Sequence, residues 1–120
     1  MTARPGRPKA PLPELAPQEE AFLEMMAAER GAAPLTLEAY RRDLADFASF
    51  RQTAATEATE DDLRRYLARL VAAGLSPRTA ARRLSALRQF FKFLLSEGIR
   101  ATDPTAVLDG PRQGRSLPKT

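Results

Sequence analysis

Two absences narrow this 120-residue chain before any motif is considered: it has no histidine and no cysteine. Without an imidazole or a thiol there is no Ser-His triad, no Cys nucleophile and no imidazole acid/base. Disulfides and thiolate metal sites are excluded too, and the lack of cysteine agrees with a reducing, cytoplasmic setting. Tryptophan is missing, aromatics reach only 7%, and no apolar run approaches the ~18–20 residues that span a membrane. The N-terminus is basic but rich in proline rather than apolar residues, so it does not read as a secretory signal. There is no Gly-rich phosphate loop and no spaced carboxylate metal site. The expectation is a soluble, intracellular chain that is not itself a catalyst.

What is present fits one small domain with 43% hydrophobic residues and little β-branched content. The formal charge of +4 is modest but unevenly spread. Residues 16–35 carry one Arg against four Glu, a balance of −3, whereas 76–100 carry six Lys/Arg against one Glu, a balance of +5. A local basic surface points to an anionic partner, without saying which.

The pattern predicts four helices. Residues 1–16 hold Pro5, Pro8, Pro11 and Pro13 among Arg4, Arg7 and Lys9, a composition that predicts a disordered leader. The first helix is expected over 17–30, ending at Gly31, with Phe22 and Met26 inward. The second is expected to use Thr36 as its cap and to run to Gln52, burying Leu37, Tyr40, Leu44, Phe47 and Ala48, with Arg41, Arg42 and Asp43 further round. Tyr40 could in principle be a nucleophile, but it stands within the apolar face and reads as core. Residues 53–58 read as a small-residue linker. Thr59 with Asp62 gives a capping-box start to a third helix through Leu63, Tyr66, Leu67, Leu70 and Val71. The acidic run Glu60, Asp61 and Asp62 reads as a first turn that favours negative charge. Gly74 closes that helix. A further helical turn is expected over 105–108, and residues 109–120 have linker composition.

The longest helix should run from Ser76 to Gly98. Ser76 suits an N-cap, Pro77 the first helical position, and Gly98 the left-handed residue after the end. At about 100° per residue, Leu84, Leu87, Phe91, Leu94 and Leu95 gather on one face. Arg78, Arg82, Ser85, Gln89 and Lys92 gather on another, within roughly 80° of arc. Such a stripe suits a phosphate backbone and a major groove, and equally a solvated face.

Three segments in register carry a resemblance: TLEAYRRDLADF at 36–47, SPRTAARRLSALRQFFKFLLSEG at 76–98, and DPTAVLDGPRQGRSLPK at 103–119. Together they resemble the N-terminal core-binding domain of tyrosine recombinases and integrases. Within that family they resemble the bacterial Xer recombinases, the XerD branch more than the XerC branch. The resemblance implies an all-α, four-helix SAM-like domain at 17–108, followed by a linker to a catalytic domain that this chain lacks. It implies half of a clamp around duplex DNA, gripping a recombination site with the second and fourth helices. The implied contacts are Thr36, Arg41 and Arg42 on the second helix, and Ser76, Arg78, Thr79, Arg82, Ser85, Arg88 and Lys92 on the fourth. Arg88 lies off the stripe, where it can flank the groove or pair with an acid; Arg83 is off it too and reads as solvated. No catalytic residue is implied, since Tyr40 and Tyr66 do not match the nucleophile's motif. The parent protein would cut and rejoin DNA through a 3′-phosphotyrosine bond, without metal or nucleotide cofactor, in a synaptic tetramer of protomers that resolves chromosome dimers at cell division. The isolated chain would be a monomer. Four to six phosphate-reaching cations imply a loss of up to about 10³ in affinity between 50 and 200 mM salt. A phage or integron integrase domain, or a helical protein-interaction module docking through its acidic first helix, are the alternative readings.

Overall fold

Proline sets the first turn of three of the four helices, where its fixed φ suits the helix and its missing N–H costs nothing. The computed structural model describes residues 12–52, 54–106 and 108; the expected leader at 1–11 and linker at 109–120 lie outside the described residues. The helices are α1 (Pro17–Arg30), α2 (Pro34–Arg51), α3 (Glu60–Ala72) and α4 (Pro77–Ser96), with a short 3-10 segment, Ala55–Glu57, between α2 and α3. No strand occurs among the described residues, so the fold is the all-α, four-helix arrangement that the periodicity predicts.

The ends follow local chemistry. Ser76 Oγ accepts from the Thr79 N–H at 3.1 Å and caps α4. Thr59 and Asp62 form the reciprocal capping box of α3, at 3.1 and 2.9 Å. The Thr59 N–H accordingly holds the Asp62 carboxyl below its usual range. α1 has half of such a box: Glu19 Oε1 accepts from the Ala16 N–H at 2.9 Å, but Ala16 has no side chain to return the bond. The second helix starts earlier than expected. Ala33 is its N-cap and Pro34 its first residue, so Thr36 lies exposed inside the first turn and caps nothing. The expected linker at 53–58 is also more than a spacer, because Ala55 and Ala58 are buried. The segment expected as a last helical turn is instead a turn built on Asp103, whose Oδ1 accepts from both the N–H and the hydroxyl of Thr105.

α4 packs against the other three helices, most extensively against α2. All six phenylalanines lie in the core or against it. Phe22 of α1 meets Phe90 edge-on, with ring centroids 5.6 Å apart, and lies 5.7 Å from Phe93. Phe47 of α2 meets Tyr66 of α3 edge-on at 5.0 Å. Leu95, expected on the apolar face, is exposed at the edge of the α4 stripe, and Val71 is exposed in the last turn of α3. Arg100 ties the end of α4 to the 3-10 segment, donating to the carbonyls of Thr56 and Ala58 at 3.0 and 2.7 Å and lying 5.2 Å over the Phe91 ring.

Burial pushes the Glu19 carboxyl above its ordinary value of 4.5, the Ala16 N–H bond offsetting only part of the cost. Because the folded value is the higher one, the protonated form adds stability below about pH 4.5, and this is lost as pH rises through the folded value. Glu20 and Asp62, held low by their partners, contribute in the opposite sense and lose stability as pH falls through their folded values. Glu19→Gln keeps an acceptor for Ala16 and removes the buried charge. It is expected to raise the melting temperature at pH 7, with the gain closing by about pH 4. Parallel thermal melts of the two proteins across that range check this; a gain that stays constant with pH contradicts it.

Candidate nucleic-acid interface

The buried side of α4 is Ala80, Leu84, Ala86, Leu87, Phe90, Phe91 and Leu94. That leaves Arg78, Arg82 and Lys92 exposed, with Ser85 and Gln89 half-buried between them, so the stripe lies on the surface. The two halves of α4 are thus fixed by one periodicity: whatever seats the apolar residues against α2 also turns the cations outward.

α2 supplies the electrostatic partner. Asp43 is buried, 1% exposed, and its Oδ1 and Oδ2 accept from Arg82 Nη2 at 2.7 Å and Nε at 3.2 Å. This bond holds the Arg82 guanidinium above its ordinary value. Arg83 is not the solvated residue expected: it donates to Asp46 at 2.9 Å and approaches Asp43 at 3.6 Å. Asp46 accepts in turn from the Tyr66 hydroxyl at 2.6 Å, so the pair latches α2, α3 and α4 together.

The other expected contacts divide clearly. Arg41 turns toward α1, where both its terminal nitrogens meet Glu20 at 2.7 and 2.8 Å and one also donates to the Pro13 carbonyl. Arg88 donates to the Leu108 carbonyl rather than to an acid. Gln89 is drawn inward, accepting from Arg30 and donating to the Tyr40 hydroxyl, both at 3.0 Å. Ser76 and Thr79 lie together at the α4 N-terminus, where the unpaired backbone N–H groups favour an anion. Arg42, Arg78 and Lys92 are exposed and have no ion-pair partner among the described residues. With the half-exposed Arg82 they are the solvent-facing cations of α2 and α4; Arg41 and Arg88 are spent inside the fold.

Neither described tyrosine is placed to act as a nucleophile. Tyr40 is in the core, and the Tyr66 phenol, pushed up by burial and then by Asp46, stays protonated. No cluster of acidic side chains among the described residues is arranged to hold a metal ion, and no described helix is long and apolar enough to cross a membrane. What the residue pattern missed is Asp43. Its spacing carried the signal: it stands three residues after Tyr40 and four before Phe47, on the same face as both.

Comparison with known proteins follows the same lines. The chain matches the family described as phage integrase, N-terminal SAM-like domain, over residues 20–98. It is 59% identical over 104 residues to the tyrosine recombinase XerD of Rhizobium meliloti (strain 1021), covering 84% of this chain and 33% of that protein. With the tyrosine recombinase XerD of Agrobacterium fabrum the identity is 54% over 104 residues, covering 84% and 31%. With that of Caulobacter vibrioides it is 48% over 103 residues, covering 83% and 34%. The chain therefore spans about one third of the length of these curated relatives. No solved structure gives a significant match. With its four helices, its register of segments and its relatives in agreement, the chain belongs to the phage integrase N-terminal SAM-like domain family, as an XerD-like domain of the Xer type.

Proposed function

We propose that this chain is the DNA-binding region of a site-specific tyrosine recombinase, one that resolves chromosome dimers in the cytoplasm together with partner protomers. α2 and α4 face the duplex. The observation that carries this reading is the sorting of the cations. Arg41, Arg83, Arg88 and Arg100 are absorbed by carboxylates or carbonyls inside the fold. Arg42, Arg78 and Lys92 stand exposed on the two helices that pack most closely together, and Arg82 presents a half-exposed guanidinium between them. Cations held apart from any internal partner suit phosphates, which position a protein on DNA without reading its sequence. Cutting and rejoining of strands we assign to the two thirds of the relatives' length that this chain does not span. The chain itself grips and does not cut.

The sorting also sharpens the salt dependence. With four available cations, affinity should fall about 10²-fold between 50 and 200 mM salt, less than a count of all the basic residues on the stripe suggests. A fluorescence-anisotropy titration of labelled duplex across that range tests the reading, with Arg78→Ala beside the wild type. The slope of log K against log salt should drop by about 0.9 for the one lost contact. Absence of binding at low salt, with helix content intact by circular dichroism, overturns the reading in favour of a protein-interaction module.

A further inference from the structure

We propose that Asp43 is a positioning residue: by gripping one edge of the Arg82 guanidinium from inside the fold, it holds the opposite edge out toward a DNA phosphate. The inference rests on the DNA-binding reading above. A guanidinium has five N–H donors in a rigid plane. The bidentate bond to Asp43 engages Nε and Nη2, at 3.2 and 2.7 Å, whereas Nη1 makes no hydrogen bond among the described residues. The arginine side chain is 45% exposed and its partner 1%, so the clasped edge is dry and the free edge wet.

The carboxylate is not shared evenly. Arg83 Nε stays 3.6 Å from Asp43, too far for a hydrogen bond, and is a buried nitrogen with no partner. Arg83 gives its own bond to Asp46. One aspartate therefore serves the helix latch, and the other serves Arg82. For the fold alone Asp43 is a poor choice, because a buried ion pair roughly breaks even against apolar residues of the same size. For charge alone it is worse, since it lowers the positive potential of the face. What it supplies is orientation: an arginine already fixed in place gives up less freedom when a phosphate arrives.

The sign of one substitution tests this. Asp43→Asn is nearly isosteric and raises the net charge by one, so if charge alone governed binding the duplex would bind more tightly. Positioning predicts instead that affinity at 100 mM salt falls by about tenfold with the salt slope unchanged. It also predicts that Asp43→Asn has no further effect in an Arg82→Ala background. Arg82→Lys is the companion variant, because it keeps the charge at a half-exposed site, loses the fork and does not depend on a buried substitution. It too should bind about tenfold more weakly with an unchanged slope, at full helix content. Either variant binding as tightly as the wild type while folded, or losses that simply add, overturns the positioning role and leaves the DNA-binding reading standing. A wild-type chain with no salt-dependent binding overturns both.

Discussion

Replacing Phe22 by alanine is expected to remove about 3–5 kcal/mol of stability, a large part of what a domain of this size possesses. Phe22 is fully buried and forms the main aromatic joint between α1 and α4, meeting Phe90 and Phe93 at 5.6 and 5.7 Å. Truncation forfeits the transfer free energy of the ring, the aromatic contacts and the packing around the space it leaves. The polar ties of α1 to the rest, Arg41 on Glu20 and Arg30 on Gln89, lie at its part-buried and exposed edges and do not fill that space. Urea unfolding followed by circular dichroism measures the loss. Val71→Ala, at an exposed position of α3, is the control and should change stability by no more than about 0.5 kcal/mol. A Phe22→Ala loss of that same small size would mean that α1 is not part of the cooperative core.

The second large effect is on binding. Removing Arg42, Arg78 and Lys92 together, each to alanine, is expected to weaken duplex binding by about 10²–10³ at 100 mM salt and to lower the salt slope by about 2.7. None of the three has an ion-pair partner among the described residues, so stability should barely move. Arg64→Ala with Arg65→Ala makes a local control, since those residues face Glu60, Asp61 and Asp62 along α3. If the three cations act as a placed interface, the α3 pair leaves the slope as it was. If charge acts only in bulk, both sets lower the affinity in proportion to the cations removed.

The residue pattern showed the four helices and the stripe plainly, because capping chemistry and a 3.6-residue period are local. Ser76, Thr59 and Gly98 mark ends that need nothing from the rest of the chain. Thr36 misled for the same reason. It is a good cap in isolation, but Pro34 two residues earlier suits the first turn as well, and α2 takes the longer option. The fate of individual arginines was not legible. Whether Arg41 points at DNA or at Glu20 depends on α1 lying against α2, a contact between residues 21 positions apart. Arg82 and Arg83 are neighbours in sequence with similar chemistry, and only the packing of α2 separates their tasks. A helical wheel assigns directions; it cannot say which acid waits there.

Arg88 is one of the arginines turned to an internal use. It spends its donor on the carbonyl of Leu108, a buried residue that follows the turn in which Thr105 and Asp103 are locked to each other. The backbone beyond α4 is thereby strapped back onto the helix that carries the cations. The effect is mechanical: position 108 is a bearing, not a slack tether. If α4 turns about its axis, position 108 turns with it. A pull applied there would reach α4 as a change of direction.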